Sequence, residues 1–237
     1  MRPFGDSSGP VVIGHRGAPL VAPENTPAAF AAAHAAGATW VELDARRSAD
    51  GAVIVHHDAR VADGTALIEL TRTELRTRGV TTLADVLAGL PAGLGVDVEV
   101  KNLPGEPDYD EDEVLAGLVA GLLGDARRPA MTSSFNPMTV TALQELLPRV
   151  PAGLLTTRGL RPRAGVDMAV EVGARVYCPH RDTPDLGAAA VEAAHRAGLA
   201  VLVWTVDDPA RARTLAGAGV DALCTNDPAG LVQALEQ

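Results

Sequence analysis

Four short stretches of this 237-residue chain place ionisable side chains where an apolar run ends: Gly14-His15-Arg16-Gly17, Val41-Glu42-Leu43-Asp44, Val55-His56-His57-Asp58 and Val98-Glu99-Val100-Lys101. Glu42 and Asp44 lie two residues apart, so on an extended strand their carboxylates point to the same side. Glu99 occupies the comparable place in its own run. Like charges crowded at strand ends are costly unless protons or a cation intervene. Three carboxylates without thiolate or imidazole suit a hard ion, Mg²⁺ or Ca²⁺, better than zinc. Taken singly, Glu42 and Asp44 also fit an exposed edge strand and Glu99 a simple pair with Lys101; their joint occurrence favours one ion site.

His15 and His57 can supply a base and an acid near neutral pH, because an unperturbed imidazole titrates at about 6.5. His56 should face away from its neighbour His57 and suits a structural role. His34 and His195 end helical runs, where a cation complements the helix terminus, and His180 follows a strand and stays open. Arg16 and Lys101 bring a planar fork and a point charge to the same rim, a combination suited to phosphate oxygens. Trp204 ends another apolar run, where stacking on an organic group and packing of the core are both open readings.

These groups need a scaffold that gathers strand ends. The sequence repeats one unit, a helix, then Ala-Gly or Val-Gly, then a short apolar strand, as at Ala36-Gly37, Val172-Gly173, Ala197-Gly198 and Ala218-Gly219. Nearly continuous apolar strands between helices indicate parallel strands buried on both faces. The pattern predicts strands over 11–14, 40–44, 95–101, 130–134, 152–156, 175–178, 200–205 and 221–225. Helices are expected near 27–36, 82–89, 111–123, 137–147, 185–197, 208–217 and 228–235, with the weakest signal over 157–172. Eight such strands fit one closed (β/α)8 TIM barrel spanning residues 1–237.

Residues 53–57 follow the second strand too soon for the helical crossover a parallel neighbour requires. Asp50-Gly51 is instead a turn signal, so an extra β-hairpin should return His57 toward Asp44. Residues 59–81 are polar and poorly periodic, with one helical turn near 71–75, and read as a short lid-like insertion.

Thirty acidic against 20 basic residues give a formal charge of −10, which disfavours a nucleic-acid partner bound through many phosphates but not a small anionic substrate. Cys178 and Cys224 are distant and lack a ligand pattern, as expected of buried thiols in a reducing compartment. The leader has no signal-like apolar stretch and no window reaches the length of a membrane span, so the expected location is cytoplasmic, with no membrane insertion. Composition leaves the oligomeric state open.

The combined motifs resemble the glycerophosphodiester phosphodiesterase family. The matching pieces are His15-Arg16-Gly17, Pro23-Glu24-Asn25-Thr26 with Phe30, Val41 to Asp44, Asp50-Gly51 with Val53 to Asp58, Val98 to Lys101, Ser133 to Phe135, Val203 to Val206, and Gly219 to Pro228. They occur in family order across most of the chain. The resemblance implies a (β/α)8 barrel that hydrolyses glycerophosphodiesters to sn-glycerol 3-phosphate and an alcohol with one divalent cation, Mg²⁺, Ca²⁺ or Mn²⁺. Carried to matching positions, His15 and His57 would be the acid/base pair and Glu42, Asp44 and Glu99 the ion ligands. Arg16 and Lys101 would bind phosphate, and Glu24 and Asn25 would support the site or contact substrate. One histidine would deprotonate the glycerol 2-hydroxyl as it attacks phosphorus, and the other would protonate the leaving alcohol. Two other readings use the same residues: a phospholipase D toxin-like lyase that stops at the cyclic phosphate, and an inactive barrel that only binds the diester. The family's usual Arg-Thr-Thr after the His-Asp pair is replaced by Ala62-Asp63-Gly64-Thr65, a change that bears on the choice of alcohol.

Overall fold

The computed structural model describes residues 3–4, 9–124 and 128–236. Its strands are β1 (Val11–Gly14), β2 (Trp40–Arg47), β3 (Val53–Val55), β4 (Thr81–Thr82), β5 (Gly95–Val100), β6 (Ala130–Ser134), β7 (Ala152–Thr156), β8 (Val176–Pro179), β9 (Ala200–Val203) and β10 (Ala222–Thr225). The helices are α1 (Pro27–Ala35), α2 (Arg72–Thr77), α3 (Leu83–Gly89), α4 (Val114–Leu123), α5 (Pro137–Leu146), α6 (Pro162–Glu171), α7 (Ala188–Arg196), α8 (Pro209–Gly217) and α9 (Pro228–Leu235). Eight strands, β1, β2 and β5 to β10, pair in parallel, and β1 closes the ring by pairing with both β10 and β2. This is the (β/α)8 barrel.

Local sequence starts the helices where the barrel needs them. Proline opens α1, α5, α6, α8 and α9, a position where its missing N–H costs nothing. Side chains of Thr26, Asn136, Asp208 and Asp227 accept hydrogen bonds from the first turns of four of these, which satisfies donors the helix itself cannot. The expected start of α4 near 111 moves to Val114, because Glu113 takes a left-handed backbone (φ 54°) and gives its carboxylate to Thr139 at 2.8 and 2.9 Å.

Strand alternation then divides the apolar residues between two compartments. Val41, Leu43, Val96, Val98, Leu154, Tyr177 and Val201 face outward onto Phe30, Val119, Leu143, Val166, Val191 and Leu215 of the helices. Val11, Ile13, Trp40, Met131, Leu155, Val176, Cys178, Leu202 and Cys224 face inward. Trp40 fills the barrel floor edge-on to Phe4, with ring centroids 5.5 Å apart. Gly95, its neighbour on β5, has no side chain because a Cβ there would overlap the Trp40 ring. Cys178 and Cys224 are buried free thiols.

The hairpin forms as expected, with β2 running three residues past Asp44 to pair antiparallel with β3. The insertion is better built than its polar composition suggests. Ile54, Val61, Leu67, Leu70, Leu75 and Val80 form a small core of their own, α2 has a Thr71/Glu74 capping box, and β4 pairs with β3. Those anchors are irregularly spaced, so no periodic signal announces them.

Candidate active site

In-register pairing of β2 with β5 sets Asp44 beside Glu99 and Glu42 beside Asp97. All four carboxylates point into the barrel mouth and are buried. One oxygen from each of Glu42, Asp44 and Glu99 lies within 4.8 Å of the other two. Lys101, the residue just after β5 and two beyond Glu99, reaches Asp44 Oδ1 at 3.0 Å and Glu99 Oε1 at 2.7 Å. The expected convergence of the three carboxylates and the simple Glu99–Lys101 pair are therefore both present, in one arrangement.

The turn after β1 supplies the second cation. Arg16 donates its backbone N–H to Glu42 Oε2 at 2.8 Å, and its Nε lies 3.2 Å from Asp44 Oδ2. Glu24 accepts from Arg16 Nη1 at 3.0 and 3.1 Å and so aims the guanidinium. Asn25 donates from Nδ2 to Asp44 Oδ2 at 2.8 Å and accepts the Asp44 N–H at 3.3 Å. Arg16 and Asn25 both hold left-handed backbones, φ 53° and 58°, an arrangement that costs energy for residues with side chains and marks a constrained site. Gly17 (φ 91°) allows the tight turn, since a Cβ there would collide with Ala29.

Electrostatics follow from that crowding. Burial, then the Asp44 and Glu99 charges, push the Glu42 carboxyl well above its ordinary range. Burial also raises Glu99, against the pull of Lys101. Burial would raise Asp44 too, but Lys101 and Arg16 together outweigh it and hold that carboxyl at about 2. Asp97, one layer below, is pushed to about 7 by burial, partly offset by the Ser133 hydroxyl it accepts at 2.9 Å.

The two candidate histidines reach the mouth by different routes. His15 follows β1; its Nδ1 lies 2.7 Å from Asn226 Oδ1 and its Nε2 3.9 Å from Glu42 Oε2. Burial foremost, then Arg16, lowers its pKa. His57 arrives on the hairpin, where the His56 N–H donates to the Asp44 carbonyl at 3.0 Å. Its Nδ1 meets Asp58 Oδ1 at 2.7 Å. That bond depresses the Asp58 carboxyl, so Asp58 is an ionised acceptor and His57 carries its proton on Nδ1.

A residue not singled out in the sequence fixes that hairpin. Arg46 is 2% exposed, donates from Nε to the His57 carbonyl at 2.7 Å, and grips Asp108 at 2.8 and 2.9 Å and Glu106 at 2.7 Å. In sequence it looks like one of two ordinary arginines after a strand; its two-residue spacing from Asp44 was the only signal that it turns inward. Asp97 carried the same parity signal relative to Glu99.

Across the mouth, Trp204 is half-buried, donates from Nε1 to the Cys178 carbonyl at 2.9 Å, and stands edge-on to Phe135 and His180 at 5.3 and 5.0 Å. These contacts give Trp204 a packing role. His34 lies in the last turn of α1. His195, in the last turn of α7, bonds Asp221 at 2.8 Å, and His56 turns its Nδ1 to the Asp58 carbonyl at 2.9 Å; none of these three contributes to the cluster.

The model of the Glycerophosphoryl diester phosphodiesterase family matches residues 15–230. The chain belongs to that family. It is accordingly an enzyme that hydrolyses phosphoric diesters. A glycerophosphodiester phosphodiesterase of Caldanaerobacter subterraneus is 28% identical over 239 residues, covering 94% of this chain and 96% of the relative. Among solved structures, an Oleispira antarctica phosphodiesterase in complex with the product sn-glycerol-3-phosphate superposes with a TM-score of 0.83 at 25% identity, covering 97% of this chain and 98% of that one. A glycerophosphodiester phosphodiesterase from Thermotoga maritima gives 0.80 at 25% identity, with 96% and 99% covered. No helix among the described residues is long and apolar enough to cross a membrane.

Proposed function

We infer that the protein hydrolyses glycerophosphodiesters to sn-glycerol 3-phosphate and an alcohol with His15 and His57 as proton carriers and one divalent cation at Glu42, Asp44 and Glu99. The observation that carries this reading is the convergence of three buried carboxylates, two cations and two imidazoles at the C-terminal mouth of the barrel, the face where barrel enzymes do their chemistry. The donor set fits a hard cation. Among the described residues Glu42 Oε1 is buried without a hydrogen-bond donor, and the cation beside Asp44 Oδ1 and Glu99 Oε1 is the Lys101 ammonium at 3.0 and 2.7 Å. All-oxygen ligation of this kind suits Mg²⁺, Ca²⁺ or Mn²⁺. When bound, the ion would neutralise the cluster and polarise a phosphoryl oxygen.

The protein's own groups account for the remaining chemistry. Arg16 and Lys101 hold the phosphoryl oxygens, and Glu24 and Asn25 keep Arg16 and Asp44 in position. One imidazole takes the proton of the glycerol 2-hydroxyl as that oxygen bonds to phosphorus. The bond from phosphorus to the alcohol oxygen breaks, and the other imidazole gives that oxygen a proton. Water then attacks the cyclic phosphate, losing its proton to the second imidazole. The ring P–O2 bond opens and O2 recovers a proton from the first. Trp204 supplies an apolar wall. Residues 59–62 of the insertion line, with His56, Asp58 and Gly105 to Pro107, a cavity of about 550 Å³, and the insertion is the segment we assign to selecting the alcohol. Buried, unpaired thiols support a cytoplasmic setting.

Product analysis tests the reading. Purified protein with glycerophosphocholine and Mg²⁺, Ca²⁺ or Mn²⁺ should release choline and sn-glycerol 3-phosphate in equal amounts. Accumulating cyclic phosphate would assign a lyase, and tight binding with no product would assign an inactive barrel.

A further inference from the structure

The loops after β9 and β10 meet beside His15 in a chain of hydrogen bonds to which the reaction outlined above gives no task. Asp207 accepts three hydrogen bonds: from Thr225 Oγ1 at 2.9 Å, from the Asn226 backbone N–H at 2.7 Å, and from Asn226 Nδ2 at 2.9 Å. Thr225 Oγ1 itself accepts the Asp227 N–H at 3.0 Å, so its own proton is free to point at Asp207. Every partner of the carboxylate is thus a donor, as an ionised acceptor requires.

That arrangement decides which way the Asn226 amide faces. Its NH₂ must turn to Asp207, because a carboxylate has no proton to give, and its oxygen must then face His15 Nδ1 at 2.7 Å. An amide oxygen only accepts, so the proton of a neutral His15 ring sits on Nδ1 and the lone pair on Nε2.

We propose that Asp207 and Asn226 are positioning residues that lock His15 in the Nδ1–H tautomer, making its Nε2 the base that removes the glycerol 2-hydroxyl proton. The proposal rests on the reading of His15 as a proton carrier and adds its direction. Asn226 is uncharged, so it fixes the ring without placing an anion against it. His57, which as imidazolium keeps its Nδ1–H on the Asp58 carboxylate at 2.7 Å, is left as the group that gives its Nε2 proton to the departing alcohol. During the step His15 Nε2 gains the hydroxyl proton, the ring becomes imidazolium, and its Nδ1–H still donates to Asn226.

The hydrogen-bond logic predicts an inversion. In Asp207→Asn, the Asn226 N–H and the Thr225 hydroxyl still demand an acceptor at the Oδ1 position, so the new amide must place its NH₂ toward Asn226. Asn226 then flips, offers its own NH₂ to His15 Nδ1, and drives the ring proton to Nε2. In the double swap Asp207→Asn with Asn226→Asp, the amide at 207 donates to the carboxylate at 226, whose other oxygen again accepts from His15 Nδ1.

Nitrogen NMR of the imidazoles in chelated protein at pH 8 reads this directly, with His15 assigned by the signal lost in His15→Gln. The parent should show a protonated Nδ1 and a bare Nε2, Asp207→Asn the reverse, and the double swap the parent pattern. Turnover of glycerophosphocholine should follow, with kcat falling about 10²- to 10⁴-fold in Asp207→Asn at nearly constant KM, as expected for a wrong tautomer, and largely returning in the swap. A protonated Nε2 in the parent, or an unchanged tautomer in a folded Asp207→Asn, overturns the proposal. The predicted tautomers with no hydrolysis by the parent would instead overturn the reading of the activity.

Discussion

Two sectors of one barrel interior differ sharply although the same strand geometry builds both. The inward positions of β2 and β5, with the residues just after β1 and β5, carry His15, Glu42, Asp44, Asp97, Glu99 and Lys101. Those of β7 to β10 carry Leu155, Val176, Cys178, Ala200, Leu202, Ala222 and Cys224, capped at the mouth by Trp204 and His180. The aliphatic sector obeys ordinary packing rules: its side chains leave water and fill space. The charged sector breaks them, setting four buried carboxylates against the two cations Arg16 and Lys101. Burying like charges is costly without further compensation, and the divalent cation proposed above would supply compensation that also does chemistry. Function in this barrel is a lateral difference as well as a difference between floor and mouth.

The largest effects should come from the charged side. Replacing His57 by Ala should lower kcat about 10²- to 10⁴-fold, while calorimetry still detects the cation. Asp44→Asn should abolish both turnover and calorimetric cation binding, because it removes a ligand and frees Lys101 and Arg16 from their shared partner. A variant that loses hydrolysis but still binds the ion would separate the two roles assigned to this sector.

Arg46 comes next. Arg46→Met leaves Asp108 uncompensated in a buried setting, which should cost about 3–5 kcal/mol in urea denaturation, and it releases the His57 carbonyl. The double variant with Asp108→Leu should recover much of the stability but not kcat. Recovery of both would show that Arg46 serves the fold alone.

Trp204→Ala tests the apolar sector. It should raise KM for glycerophosphocholine about tenfold, matching roughly 1–3 kcal/mol of lost apolar contact, with a smaller change in kcat. A loss confined to kcat would place the tryptophan with the chemistry instead.

The smallest effect on turnover and the clearest on stability is expected at Asp97. Its carboxyl titrates at about 7 in the folded barrel and at about 3.9 in the unfolded chain. Between those values the folded state holds a proton that the unfolded state lacks, so chelated protein should lose stability as pH rises through that window. Above the folded value the cost is complete, up to about 4 kcal/mol; below the unfolded value it vanishes. Asp97→Asn, which keeps an oxygen for the Ser133 hydroxyl, should therefore raise the thermal midpoint at pH 8 and leave it nearly unchanged at pH 4.

How far the sequence foretells these sectors differs in the same way. The barrel is legible because apolar strands and glycine-stopped helices are local patterns, and Glu42, Asp44 and Glu99 are legible because strand parity puts neighbours two apart on one side. Arg46 and Asp97 obey that parity but stand beside louder signals. The route from His15 through Asn226 to Asp207 is invisible, since its partners lie at opposite ends of the chain and meet only when β10 closes against β1. The core of the insertion is equally hidden, because Val61, Leu67, Leu70 and Leu75 follow no regular period.

Cation dependence is the most direct test of the contrast between the sectors. Protein stripped with chelator should show no release of sn-glycerol 3-phosphate from glycerophosphocholine. Titration with Mg²⁺, Ca²⁺ or Mn²⁺ should restore hydrolysis and raise the thermal midpoint over the same concentration range, as ligand binding to the folded state requires. Full turnover in the chelated protein would contradict the account, because the four carboxylates would then have no cation to explain them.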